Sequence, residues 1–165
     1  MADVEGYDFS GADLTTLLLR RFYPERTDRE STIIRDWLFE HGAEYDRFSF
    51  SVRIGEGQTP GANLEAGVAR SVLFSSRKRI DVLAYQGNVP TIVEVKERVI
   101  PAALGQILTY RQLFLEENPD APDPRLLVIA RYGDPETIRI LNQHAVDVLL
   151  YEGRDAERGP DAGGL

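Results

Sequence analysis

Apolar residues recur at helical spacing in two stretches near the start of the chain. The first stretch follows Ser10 and stops before Pro24, because proline disrupts the interior of a helix. The second stretch lies between a helix cap at Thr27 or Asp28 and an end near Gly42. The chain is therefore predicted to begin with two helices.

The middle of the chain changes to the period of a β-strand. Residues 47–54 alternate apolar and polar side chains, so one face of this strand is predicted to be buried. The apolar positions on that face are Phe48, Phe50, Val52 and Ile54. A loop rich in glycine and proline follows over residues 55–67. Further strands are predicted over residues 68–75, 79–85 and 90–96, and a Gln-Gly-Asn turn joins the last two as a hairpin.

The last third of the chain alternates between helix and strand. A helix is predicted from Pro101 to about Glu117, and the continuous apolar run 126–131 is typical of a strand buried on both faces. An Asp-Pro pair then starts a helix over residues 135–144, and residues 146–151 form a closing strand that is either parallel to its neighbour or at a sheet edge. This order predicts an α/β fold in which helices flank a mixed sheet.

The length of 165 residues indicates one domain, or one domain plus tails, since compact domains typically have about 100–150 residues. We place this domain at residues 10–151. Residues 1–9 are predicted to be an acidic N-terminal extension. Residues 152–165 have no hydrophobic period and are predicted to be a disordered tail.

Composition excludes several classes of protein. The chain has no cysteine, which rules out disulfides, thiolate zinc sites and iron–sulfur clusters. It has no apolar run near the about 18 residues that a membrane helix needs, so no membrane partner is expected. Its first residues lack the basic and apolar regions of a signal peptide. The expected location is therefore the cytoplasm.

The net charge of −8 argues at first against a nucleic-acid partner, because phosphates bind to lysine and arginine. The charge is unevenly distributed, however. Residues 1–8 carry −3 and residues 152–165 carry −2, so five of the eight negative charges lie at the two ends. Residues 70–98 hold six basic and three acidic side chains, which is a local +3. The net charge therefore does not exclude DNA.

Three charged residues are predicted to meet on the central hairpin. Asp81 lies on its first strand, and Glu94 and Lys96 lie on its second. Because strand side chains alternate, Glu94 and Lys96 share one face while Val93 and Val95 point to the other. Two buried carboxylates need a cation between them, which can be Lys96 or a divalent metal. All-oxygen ligands suit Mg²⁺ or Mn²⁺.

This pattern resembles the motif of the PD-(D/E)XK nucleases. Asp81, a hairpin and then the tripeptide Glu94, Val95, Lys96 follow the order of that motif, with Ile80 in the place of its usual proline.

Two further features extend the resemblance. Gln106 and Tyr110, four residues apart on the following helix, are similar to the QxxxY motif of the RecB-like branch. Glu30, on the helix before the first long strand, is placed like the acid that precedes the core in many members. The resemblance covers residues 28–151 and implies a restriction-endonuclease-like three-layer sandwich.

The resemblance also implies a metal-dependent nuclease that hydrolyses DNA phosphodiester bonds. Asp81, Glu94 and the Val95 carbonyl would bind one or two Mg²⁺ or Mn²⁺ ions, which would activate a water molecule. Lys96 would orient or deprotonate that water and stabilise the charge that develops on phosphorus. Gln106 and Tyr110 would contact the phosphate backbone or the metal's outer waters, and Glu30 would be a further ligand in the metal's outer shell.

Each of these residues also has a structural interpretation. The hairpin charges could form an ion pair, the residues on the later helix could make a hydrogen bond on its face, and Glu30 could be a first-turn acid favoured by the helix dipole. A basic run, Arg77, Lys78 and Arg79, could be a solvated turn or a contact to the DNA backbone.

Three functions remain open from the sequence. The first is the nuclease, and the second is a catalytically inactive nuclease-fold module that binds nucleic acid or protein. The third is an unrelated α/β domain for a small ligand. A short, acidic chain would hold a DNA duplex weakly, so a homodimer or a protein partner is expected.

Overall fold

The computed structural model of the chain describes residues 6–9, 13–59, 61 and 63–152. The strands are β1 (Tyr7–Asp8), β2 (Arg47–Ile54), β3 (Lys78–Gln86), β4 (Val89–Val99), β5 (Arg125–Gly133) and β6 (Val146–Leu150). The α-helices are α1 (Leu14–Leu18), α2 (Asp28–His41), α3 (Ala66–Ser76), α4 (Ala102–Glu117) and α5 (Pro135–Gln143). A short 3₁₀ helix, Gly42–Glu44, follows α2.

The six strands form one mixed sheet in the order β1-β2-β3-β4-β5-β6. The strands up to β4 pair antiparallel, whereas β4 with β5 and β5 with β6 pair parallel. The closing strand β6 is therefore both parallel to its neighbour and at an edge of the sheet. The predicted hairpin is present, with Gln86 paired to Val89 across its turn.

Helices cover the two faces of the sheet with separate apolar clusters. On one face, α1 and α2 pack through side chains such as Leu17 and Trp37. On the other face, α4 and α5 pack through Ile107, Phe114 and Leu141. This confirms the predicted fold class, a three-layer α/β sandwich around a mixed sheet, and it is consistent with a restriction-endonuclease-like architecture. No helix in the described part of the chain has both the length and the apolar character that crossing a membrane requires.

The strand predicted over residues 68–75 is wrong, because this segment is helix α3. Its valine and phenylalanine residues favour a strand by propensity. However, β2 and β3 pair directly with each other, so the sheet has no place for an additional strand between them. Three of its large apolar residues, Val68, Leu73 and Phe74, are exposed in the helix.

The prediction that β2 buries all its apolar residues on one face is also wrong. Phe48 and Phe50 belong to the cluster under α2, while Val52 and Ile54 belong to the cluster under α4. The change of face occurs at Ser51, whose φ of 54° is left-handed and breaks the alternation of the strand.

The two ends of the chain are described in part. Within the predicted acidic extension, Tyr7–Asp8 forms β1 and pairs with β2. Residues 1–5 lie outside the described residues, as does the predicted disordered tail beyond Glu152.

Candidate active site

The buried carboxylate of Asp81 lies where the alternation of β2 and β3 is interrupted. Phe50 pairs with Val82 and Val52 pairs with Ile80, so Asp81 stands opposite Ser51. Only 4% of Asp81 is exposed. Its Oδ2 accepts a hydrogen bond of 2.9 Å from the backbone N–H of Val95 on the neighbouring strand β4, which ties the two strands of the hairpin together at this point.

The two carboxylate oxygens of Glu94 have different surroundings. Oε1 lies 2.6 Å from Nζ of Lys96, whereas Oε2 is buried and has no hydrogen-bond partner. Burial and then the charge of Asp81 raise the pKa of Glu94 to about 7. Burial likewise raises the pKa of Asp81. The hairpin thus brings Asp81, Glu94 and Lys96 together in a cluster whose two buried carboxylates favour an added positive charge.

Helix α4 places Tyr110 near the two carboxylates. Tyr110 is buried, and its pKa is raised to about 12 by burial first and then by the charges of Glu94 and Asp81. Gln106 is half-buried one turn earlier on the same helix. The QxxxY residues therefore lie on the helix that covers the carboxylate face of the hairpin.

Glu30 performs a structural task at the start of α2. Its Oε2 accepts hydrogen bonds from the backbone N–H of Thr27 at 2.9 Å and from the Thr27 hydroxyl at 3.1 Å, while the Thr27 hydroxyl accepts from the N–H of Glu30. This is a capping box, which satisfies two helix N-terminal donors. The remaining oxygen, Oε1, lies 3.9 Å from Nη1 of Arg26. Glu30 is therefore linked to Asp81 only indirectly, because Arg26 contacts both residues.

The basic run at the start of β3 is divided among different contacts. Arg77 fastens the preceding loop, because its Nε donates to the carbonyl of Gly55 at 2.6 Å. Arg79 donates to Oε2 of Glu25 at 2.6 Å, and Lys78 is exposed. The three side chains therefore do not form one solvated basic turn, and Lys78 is the most exposed of them.

Sequence reasoning missed Arg26, which lies in the loop before α2. Its side chain is 3% exposed, and its Nη1 donates to Oδ1 of Asp81 at 2.5 Å. Its charge lowers the pKa of both Asp81 and Glu94 against the larger effect of burial. Arg26 precedes the helix cap and belongs to no periodic pattern, so nothing in the sequence marks it as buried.

The loop that carries Arg26 is anchored to β2 and to β3, the strand of Asp81. Glu25 has a left-handed φ of 55°, and its Oε2 accepts from Nη2 of Arg53 at 2.7 Å as well as from Arg79. The carbonyl of the preceding Pro24 accepts from the Ser51 hydroxyl at 2.8 Å. Two left-handed residues, Glu25 and Ser51, thus lie next to the buried carboxylates, and such strain is concentrated at functional sites.

The available donors fit a hard divalent cation. Asp81 and Glu94 are all-oxygen ligands, and Oε2 of Glu94 is a buried oxygen without a partner. The described residues contain no group of three or more histidine, cysteine, aspartate or glutamate side chains suited to a metal. Mg²⁺ is commonly held by one or two carboxylates with water and substrate oxygens, so two carboxylates suffice for it. Asp81, Glu94 and the backbone carbonyl of Val95 are the groups that would hold the ion.

Comparison with known proteins gives two structural matches. No protein-family model matches the chain, and no curated protein matches it significantly. A repair endonuclease from Pyrococcus abyssi matches with a TM-score of 0.44 and 15% identity over 81% of this chain and 50% of that one. EndoMS in complex with double-stranded DNA matches with a TM-score of 0.43 and 15% identity over 81% of this chain and 49% of that one. The chain therefore spans about half the length of each structure that it matches.

Proposed function

We propose that the chain is a metal-dependent nuclease that hydrolyses DNA phosphodiester bonds at Asp81, Glu94 and Lys96. The observation that carries this proposal is the pair of buried carboxylates on adjacent strands, one of which has an oxygen without a partner. Arg26 contacts Oδ1 of Asp81 and Lys96 contacts Oε1 of Glu94, which leaves Oε2 of Glu94 buried without a hydrogen-bond partner. A buried carboxylate oxygen without a partner is unfavourable, and this supports a site for a further cation.

The roles of the residues follow from their contacts. Asp81, Glu94 and the Val95 carbonyl would hold Mg²⁺ or Mn²⁺, which would supply a water of lowered pKa and stabilise negative charge on the scissile phosphate. Asp81 is held in one orientation by the Val95 N–H, which preorganises its oxygens. Nζ of Lys96 lies 2.6 Å from Oε1 of Glu94, which positions the ammonium group. This group could orient the attacking water or stabilise the negative charge that develops on the phosphate.

The substrate would reach the site over the partly exposed Lys96 and Gln106. Tyr110 is buried near Glu94 and Asp81, where its hydroxyl could donate to a water or phosphate oxygen bound at the carboxylates. The exposed Lys78 at the start of β3 offers a further phosphate contact. These contacts read the DNA backbone, which carries no sequence information.

A second candidate is an inactive nuclease-fold module that binds nucleic acid or protein. The observation that favours it is Arg26, whose guanidinium already neutralises Asp81. A site that is permanently neutralised in this way would bind no metal and cut no DNA.

Cleavage assays distinguish the two candidates. Plasmid and single-stranded DNA are incubated with the protein in Mg²⁺, in Mn²⁺ and in EDTA. We expect metal-dependent cleavage that Asp81→Ala and Lys96→Ala reduce by at least about 100-fold. Asp123→Ala is the control, because Asp123 is an exposed carboxylate that pairs with Arg111. The nuclease would be contradicted if neither substrate is cut, or if Asp81→Ala and Lys96→Ala cut DNA as fast as the wild type.

A further inference from the structure

The buried guanidinium of Arg26 is the least expected feature of the site. It hydrogen-bonds Oδ1 of Asp81 through Nη1, while its Nε and Nη2 are buried without a hydrogen-bond partner. Buried charges are stable only with good pairing, and unpaired buried donors are unfavourable. The side chain is therefore held in a position that does not satisfy it fully.

The loop at residues 24–26, which precedes α2, has a strained backbone. Glu25 adopts a left-handed conformation that is rare outside glycine, and its carboxylate is fixed by Arg53 and Arg79. Ser51, also left-handed, fastens the loop through Pro24. These contacts deliver Arg26 to the point where Asp81 stands.

The guanidinium of Arg26 places a positive charge beside Asp81, as a bound metal ion would. Oδ2 of Asp81 accepts the hydrogen bond from the Val95 N–H. The other oxygen, Oδ1, is therefore the one open to a cation, and Arg26 contacts it. The guanidinium charge favours the ionised form of Asp81 and of Glu94. A guanidinium and a divalent cation on the same oxygen would repel each other strongly in a buried site.

We propose that Arg26 is a built-in counter-cation that holds Asp81 in the metal-free protein and withdraws from it when a divalent cation binds. Arg26 thereby sets the metal affinity of the site. Removing its charge strengthens metal binding, whereas keeping the charge preserves the affinity of the wild type. The inference rests on the proposed metal site, and its test does not depend on DNA cleavage.

The test is a titration of the full chain with Mn²⁺, in which electron paramagnetic resonance measures the free ion in the absence of DNA. Arg26→Gln is expected to bind Mn²⁺ at least about tenfold more tightly than the wild type. Arg29→Gln is the matched control, since it makes the same charge change on a side chain that is 74% exposed and paired with Glu97. Its Mn²⁺ affinity should stay within about twofold of the wild type.

A second measurement on the wild type covers the case in which Arg26→Gln does not fold. The ¹⁵N signal of the buried Arg26 Nε–H, assigned by its loss in Arg26→Lys, is followed during a titration with Mg²⁺. We expect this signal to shift as the guanidinium leaves Asp81. An unchanged signal at saturating Mg²⁺ would overturn the inference.

The outcomes separate this inference from the proposed function. If the wild type cuts DNA but Arg26→Gln binds Mn²⁺ no more tightly, the inference is overturned and the nuclease stands. If Arg26→Gln binds at least about tenfold more tightly and the wild type cuts no DNA in any metal, the inference stands and the nuclease is overturned. If neither protein binds millimolar Mn²⁺, both are overturned.

Discussion

Replacement of Glu94 by glutamine should stabilise the metal-free protein in a pH-dependent way. Glu94 is 2% exposed, and its pKa rises from 4.5 to about 7 on folding, because burial and the charge of Asp81 together outweigh the favourable contact with Lys96. A raised carboxyl pKa means that the folded state binds the proton more tightly than the unfolded state. The resulting stabilisation is complete below about pH 4.5 and is lost as the pH rises to about 7.

The magnitude follows from the two pKa values. They differ by about 2.5, and each pKa unit corresponds to about 1.36 kcal/mol, so ionised Glu94 lowers the free energy of unfolding by about 3 kcal/mol at pH 8. Glutamine keeps the shape of the neutral acid and cannot ionise. The free energy of unfolding of Glu94→Gln should therefore match that of the wild type near pH 4.5 and exceed it by up to about 3 kcal/mol at pH 8.

Urea unfolding in EDTA at several values between pH 4.5 and 8 measures this difference. Glu136→Gln, which removes a carboxyl group from the exposed surface of α5, is the control for a general effect of charge. The pH-dependent gain should be specific to Glu94→Gln. If this variant is less stable than the wild type at every pH in the range, the contact with Lys96 stabilises the Glu94 anion fully. Asp81 and Glu94 would then require no further cation.

Three further predictions concern the metal, the helix cap and the grip on DNA. Mn²⁺ at about 100 times its dissociation constant should raise the free energy of unfolding of the wild type by about 2.7 kcal/mol; thermal unfolding of Asp81→Asn should show no such gain, and an equal gain would place the ion elsewhere. Thr27→Ala should lower the free energy of unfolding by about 1 kcal/mol by removing the cap of α2, as measured by urea unfolding; no loss would mean that the capping box contributes nothing. DNA binding by the isolated chain should weaken steeply between about 50 and 200 mM salt in fluorescence anisotropy, because contacts to phosphates release counterions from the DNA; salt-independent binding would exclude backbone recognition.

The regular elements of the fold were predictable because their patterns are local. The alternation of β2, the apolar run of β5 and the Asp-Pro start of α5 each indicate one structure through period or capping alone. The hairpin turn also fixed the pairing of β3 with β4, and this pairing is what brings Asp81 close to Glu94. The central constellation was therefore accessible from the sequence.

The errors arose where tertiary structure overrides local pattern. The valines and phenylalanine of α3 favour a strand, but the direct pairing of β2 with β3 excludes the segment from the sheet. The left-handed Ser51 divides the apolar residues of β2 between two faces, and serine carries no mark of that conformation. Arg26 is brought to Asp81 over 55 residues of sequence by contacts that no local pattern encodes.

The position of a bound metal ion tests the central claim most directly. Crystals of the protein grown with Mn²⁺ are measured near the manganese absorption edge, and an anomalous difference map locates the ion. We predict a peak in contact with the carboxylates of both Asp81 and Glu94, with the Arg26 guanidinium moved away from Asp81. An absence of any peak at these carboxylates, with Arg26 still bound to Asp81 at saturating Mn²⁺, would contradict the account.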